Sequence, residues 1–228
     1  MPAIVITTFE RPAALDRLLA SISSISPEDW AAGPVVVDQS ADPVVVPAPV
    51  RLFRAEPGFP GPRRRLAASL IAPSVEALLF LDDDMELLPS WAEDRDRLLE
   101  LVSTDDIGLV SLPTRRGLPT RPRSPVVGMC GGMLVRSSAY LAVGGHGDDY
   151  LDDIELSLRL RWGGWRIVRW HRRVSVHRFG TPGGLRALQG VEPKRDAHLR
   201  LSRLAEVYPD RLIQDARSWW GHREVRRG

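Results

Sequence analysis

Apolar positions along the chain fall into two alternating patterns. Residues 3–8, 35–37 and 77–81 are short, nearly continuous apolar runs bounded by turn residues, the pattern of strands buried on both faces. Between the first two, Leu15, Leu18, Leu19, Ile22 and Ile25 recur at helical spacing behind Pro12, a residue suited to a first helical position, and Ser26-Pro27 is expected to end that helix. Residues 41–49 are Pro-rich and read as a loop, and residues 50–54 as a short strand. The breaker Pro57-Gly58-Phe59-Pro60-Gly61-Pro62 leads into Arg63-Arg64-Arg65 and a helix to about Ala72. A further helix opens at Pro89 or Ser90 and a strand covers residues 107–112. Strand and helix alternate over the first ~110 residues, which predicts an α/β fold with a doubly wound, mostly parallel sheet.

The pattern then changes. Residues 114–125 form a loop rich in Arg, Pro and Gly, and residues 126–135 are strand-like but broken by Gly128, Gly131 and Gly132, as where a backbone is approached closely. A short helix runs from Ser137 to Gly144-Gly145, followed by an acidic loop over residues 146–150. Asp152-Asp153 open a helix whose Ile154, Leu158 and Trp162 share one face and which Gly163-Gly164 stop. Residues 166–170 and 173–177 read as two late strands. Residues 179–193, with Gly180, Gly183, Gly184 and Gly190, read as flexible, and the last ~35 residues as helical and modestly basic.

Composition narrows the setting. The 228 residues are 43% hydrophobic and 26% charged, enough for a core without disulfides or a structural metal. Net charge is only +2 although the pI is 9.1, which argues against a dominant electrostatic footprint for nucleic acid. Lys194 is the one lysine, so arginine, the better fork for phosphate and carboxylate, carries the positive charge; a GC-rich genome would have the same effect. The single Cys130 excludes an internal disulfide and a cysteine-rich metal site. The N-terminus lacks a signal-peptide pattern and no apolar run approaches the roughly 18 residues of a membrane span. A cytoplasmic protein without a transmembrane segment is the expectation.

The chemistry-bearing residues gather at predicted strand ends and helix starts. Asp82-Asp83-Asp84 directly follow a buried strand, at the edge where open α/β sheets bind ligands. Three adjacent carboxylates repel, and a hard divalent cation is the natural neutraliser; a solvated acidic turn is the bland alternative. Asp38 ends the second strand and His177 a late one. Asp152-Asp153 equally suit a helix N-terminus, whereas Arg63 to Arg65 oppose the dipole of theirs, which points to a bound anion there. Two readings of these residues are a nucleotidyltransferase, disfavoured by the lack of a Gly-rich N-terminal phosphate loop with a Lys, and a non-enzymatic nucleic-acid-binding protein using its basic tail with Trp219-Trp220.

The order and spacing of these features resemble the family-2 glycosyltransferases with the GT-A fold, over about residues 3 to 180. Residues 4–12 are similar to that family's opening strand and turn, and Val36-Val37-Asp38 to its second strand. Gly58 through Arg63-Arg64 resembles its G-x-x-x-A-R-N segment, with Arg63 in the Arg position, and Asp82-Asp83-Asp84 its D-x-D motif. Gly131 to Arg136 and Val143-Gly144-Gly145 look like its acceptor-side stretches, Asp152 to Leu160 resembles E-D-V-D-L-x-x-R-L, and residues 174–177 match its late strand ending in His. Phe9, Glu10 and Gln39 depart from the usual Tyr, Asn and Asp or Asn, Asp152 replaces the usual Glu, and the Q-x-x-R-W motif of processive synthases is absent.

The resemblance implies inverting, metal-dependent transfer of a single sugar from a nucleotide-diphosphate sugar, with a UDP-sugar the first candidate, to a hydroxyl acceptor: a small molecule, a cell-surface glycan precursor or nucleic acid. Asp84 and His177 would ligate Mn²⁺ or Mg²⁺. Thr8, Phe9, Arg11, Asp38, Arg63, Asp82 and Asp83 would hold the donor. Asp153 would be the base, supported by Asp152. It further implies a domain over residues 1–180, with a nucleotide-binding half (1–112) and an acceptor-side half (113–180), and a loop with C-terminal helices (181–228) packed on it.

Overall fold

The computed structural model describes residues 1–113, 132–149, 151–178, 184, 193–214 and 216. The expected loop at 114–125, Gly128, Cys130, Gly131, Gly180, Gly183, Gly190 and Trp219-Trp220 lie outside the described residues.

The apolar runs become the centre of one seven-stranded sheet. Strands β1 (Ala3–Thr8), β2 (Val35–Asp38), β3 (Arg51–Arg54), β4 (Ala77–Asp82), β6 (Ile107–Ser111), β7 (Met133–Arg136) and β8 (Arg166–Arg169) lie in the order β3-β2-β1-β4-β7-β6-β8. All run parallel except β7, which is antiparallel to β4 on one side and to β6 on the other. The fold is therefore α/β with a mostly parallel sheet, as the strand–helix alternation predicts. Helices α1 (Pro12–Ile25) and α4 (Pro89–Val102) cover one face, where Leu15, Leu18, Trp91 and Leu98 pack on Ile4, Ile6, Leu79 and Leu81. Helices α3 (Pro60–Ile71), α5 (Ser137–Ala142) and α6 (Asp152–Trp162) cover the other, where Ala67, Ala68, Tyr140, Leu156 and Leu160 pack on Val5, Val37, Leu78 and Phe80. Strands of alternating outlook that are apolar at every position need exactly this covering on both faces.

Three details differ from the pattern-based reading. Ser26-Pro27 does end α1, but Pro27 also opens the short helix α2 (Pro27–Ala31), whose buried Asp29 takes hydrogen bonds from the Trp91 indole (3.1 Å) and Arg95 Nε (2.9 Å). Met85–Leu87, directly after the acid triplet, forms an unexpected strand, β5, that pairs antiparallel with β9 (Ser175–His177) in a separate two-stranded sheet. Trp162 is 62% exposed instead of sharing the buried face with Ile154 and Leu158. Those two pack on a third apolar cluster, with Leu201 and Leu204 of α7 (Pro193–Leu204) and with Leu212, Ile213 and Ala216. Helix α6 is thus buried on two faces, and Trp162, its last residue, lies beyond the cover of the second.

Candidate active site

The site begins where parallel strands end together. Register places Thr8 beside Asp38 and Thr7 beside Asp82, so the C-terminal ends of β1, β2 and β4 bring Thr8, Asp38 and the acid triplet to one edge. The Thr8 hydroxyl donates to Asp83 Oδ2 (2.9 Å), and Arg11 Nη1 donates to both Asp83 Oδ1 (3.1 Å) and Asp84 Oδ2 (3.2 Å). Burial, aided by the neighbouring Asp84 charge, outweighs Arg11 and Thr8 and raises the Asp83 carboxyl to about 6. Gly184 lies against Arg11: a Cβ there would stand 2.6 Å from the guanidinium carbon.

The β5–β9 ladder explains how His177 reaches this cluster. Met85 pairs with His177, and the Arg178 amide bonds to the Asp84 carbonyl (2.8 Å). His177 Nε2 comes within 2.7 Å of Asp84 Oδ1 and 3.9 Å of Asp82 Oδ2, and ligand atoms of the three residues all lie within 4.8 Å of one another. Asp84 Oδ1 is buried and takes no hydrogen bond among the described residues despite that approach. An unbonded carboxylate oxygen facing a ring nitrogen, with a second carboxylate at hand, fits a divalent cation.

Asp38 is fully buried and engaged within the fold. It accepts from the amides of Ser40 (2.9 Å) and Val44 (3.0 Å) and from Arg54. Burial alone would raise its carboxyl, but these donors outweigh it and the net shift is downward. Next to it opens a pocket of about 850 Å³ lined by Phe9, Glu10, Gln39, Ser40, Ala41, Arg54, Ala55, Glu56, Pro57 and Gly184. Glu10 holds a left-handed backbone (φ 53°), fixed by its amide bonding to Ser40 Oγ (2.8 Å) and its carboxylate taking the Ala41 amide (2.7 Å).

Across the edge lies the start of α6. Arg64 joins the two sides: buried to 3% side-chain exposure, it donates from Nη2 to Asp82 Oδ1 (2.6 Å) and from Nη1 to Asp152 Oδ2 (2.7 Å). The approach of α3 to this region requires glycine at 61, where any Cβ would collide with the Gly147 carbonyl and stand 2.9 Å from Asp152 Cβ. Burial pushes the Asp152 carboxyl up, with Asp153 adding to the rise and Arg64 opposing it. Asp153 is half-buried, and its Oδ1 accepts the Ile154 amide (2.8 Å). Leu151, just before the pair, is in the left-handed region (φ 68°), unusual for a branched residue. Behind them the Tyr140 hydroxyl and His146 Nδ1 are 2.9 Å apart, with Phe80 edge-on to His146. Arg200 of α7 bonds Glu155 of α6, anchoring the C-terminal helix to the one that carries the acid pair.

The structure therefore brings together Thr8, Arg11, Asp82, Asp83, Asp84, His177, Asp152 and, at the same helix start, Asp153. Phe9 lines the adjacent pocket. Arg63 points elsewhere, donating to the Glu56 carbonyl (Nε, 3.2 Å) under the pocket rim. Arg64, not the expected Arg63, faces the site: Gly61, Arg64, Ala67, Ala68 and Ile71 repeat at helical spacing along the buried face of α3, a signal present in the sequence. Within the arginine trio, Asp82 and Asp152 neutralise Arg64, and Asp148 pairs with Arg65.

The sheet order with a single reversed strand, the acid triplet at its edge and the covering helices define the GT-A architecture. Solved structures of that class are similar to the chain at low sequence identity. TarS 1-349 of S. aureus matches over 78% of this chain and 60% of its own, at 14% identity and TM-score 0.63. The mannosyltransferase PcManGT of Pyrobaculum calidifontis, in complex with GDP-Man and Mn²⁺, matches over 94% of this chain and 68% of its own, at 13% identity and TM-score 0.66. GalNAc-T7 with UDP, GalNAc and Mn²⁺ matches over 78% and 43%, at 14% identity and TM-score 0.59. The chain thus spans about 60% of the length of TarS 1-349. No family model and no curated protein matches it. Among the described residues no helix is long and apolar enough to cross a membrane.

Proposed function

We propose that the protein is a glycosyltransferase that moves one sugar from a nucleotide-diphosphate sugar to a hydroxyl acceptor, with inversion at the anomeric carbon. The observation that carries this reading is the Arg64 junction, which sets the acid pair of α6 against the Asp82, Asp84 and His177 cluster. Structural neighbours solved with UDP-GlcNAc, with GDP-Man and with Mn²⁺ support a nucleotide-sugar donor. Residues 1–112 would serve the donor and residues 113–180 the acceptor.

Asp84 and His177, with Asp82, would hold the cation, and two carboxylates plus an imidazole suit Mn²⁺ better than the all-oxygen shell Mg²⁺ prefers. A divalent cation there supplies positive charge for a departing nucleoside diphosphate. Arg11 offers further positive charge at the same edge. Phe9 would pack on the base, with Thr8 and Asp38 shaping the floor and Arg63 supporting the rim. Asp153 takes the proton of the acceptor hydroxyl as its oxygen bonds to the anomeric carbon, and the bond to the diphosphate breaks with its electron pair leaving on the nucleotide. Asp152, held by Arg64, keeps the helix start in place. A double displacement would need a separate carboxylate nucleophile close to the base, which this arrangement does not call for.

Thermal unfolding with a panel of sugar nucleotides, with Mn²⁺ or EDTA, tests the reading. A donor present at 100 times its Kd raises stability by about 2.7 kcal/mol, so one donor should shift the transition with Mn²⁺ and lose most of that shift in EDTA. An equal shift in EDTA would remove the metal from the proposal.

A further inference from the structure

Gln39 is 1% exposed and lies in the wall of the pocket beside Asp38. Its Oε1 accepts the Gly58 amide (3.0 Å), which settles the orientation of the carboxamide and leaves Nε2 as the other end. Nε2 is buried and has no hydrogen-bond partner among the described residues. A buried donor left unpaired is costly, so a native site that keeps one has a use for it. Three other polar side chains of this wall are already engaged. Ser40 Oγ takes the Glu10 amide, Arg54 is bound to Asp38 and to the Ser40 carbonyl, and Glu10 takes the Ala41 amide.

Building on the donor-site reading above, we propose that Gln39 is the residue that selects the nucleobase of the donor, by donating from Nε2 to O4 of uracil or O6 of guanine. An amide nitrogen offers only donors. Uracil presents O4 where cytosine presents an amino group, and guanine presents O6 where adenine presents one. Opposite Nε2 the carbonyl is bonded, whereas the amino group sets donor against donor and leaves both unpaired. The site therefore takes a keto base, uracil or guanine, and rejects cytosine and adenine. Sites built to bond a polar group discriminate strongly against its replacement.

Calorimetric binding of UDP, CDP, GDP and ADP in Mn²⁺ to the wild type and to Gln39→Glu tests this. Glu keeps an acceptor for the Gly58 amide but turns an acceptor toward the base. The wild type should bind UDP over CDP, or GDP over ADP, by about ten-fold or more, and the stronger of UDP and GDP identifies the base. In Gln39→Glu that preference should vanish or reverse. Should Gln39→Glu fail to fold, Gln39→Met in the same measurement should bind the keto and amino partners within about three-fold of each other. Unchanged preference in a folded variant overturns the role of Gln39 and leaves the glycosyltransferase reading standing. Binding of none of the four nucleotides by the folded wild type overturns the donor site and Gln39 with it.

Discussion

The two sides of the site are built by different means. On the side of the acid triplet, backbone ladders set the positions: Thr8, Asp38 and Asp82 are neighbours because β1, β2 and β4 run in register, and His177 arrives because β9 pairs with β5. On the side of α6, a few side chains do the positioning. Arg64 ties Asp152 to Asp82, Arg200 ties Glu155 to α7, and Gly61 makes room for the approach. A ladder spreads its hold over many bonds, so single substitutions barely move it. A junction concentrated in one guanidinium fails when that group is removed.

That contrast can be broken by substitution. Asp153→Asn should lower turnover by about 10²–10⁴-fold, the usual scale of a lost general base, with nucleotide affinity unchanged; steady-state kinetics showing a fall under ten-fold would take the base role from Asp153. Arg64→Met removes the partner of two carboxylates, one of them deeply buried, and should cost about 3–5 kcal/mol in urea unfolding. A cost under about 1 kcal/mol would mean the α6 side is held as diffusely as the side of the acid triplet. The smallest effect concerns pH. With its folded pKa raised to about 6 and an unfolded value near 3.9, Asp83 keeps its proton in the folded state alone between about pH 4 and 6. Rising pH through that window therefore costs the folded protein stability, up to roughly 3 kcal/mol, with no further loss above it. Metal-free Asp83→Asn should escape this, so its stability relative to the wild type should rise from pH 4.5 to pH 7 in urea unfolding. A gap independent of pH would show that Asp83 ionises as an ordinary carboxylate.

Sequence pattern revealed most of what backbone periodicity controls. Residues 3–8, 35–38 and 77–82 are apolar up to the sheet edge and polar at it, so strand limits and the gathering of acids were both legible. Strand β5 was not, because a three-residue element beside charged residues has too little pattern to stand out, and its partner lies some 90 residues away. The choice of Arg64 over Arg63 depends on which face of α3 turns inward, a question adjacent arginines obscure unless the glycine and alanines around them are counted. Trp162 misled for the complementary reason: helical spacing gives a face but not where the covering element stops.

The reversed strand β7 has a consequence for motion. Because β7 hydrogen-bonds to β4 on one edge and β6 on the other, strands β3-β2-β1-β4 and strands β6-β8 share one continuous sheet instead of meeting across a linker. A hinge between them would have to tear ladder pairs such as Leu79 with Leu134, both fully buried. A two-handed closure about a hinge in the sheet is not open to this fold, so the carboxylates on either side of the Arg64 junction keep their spacing.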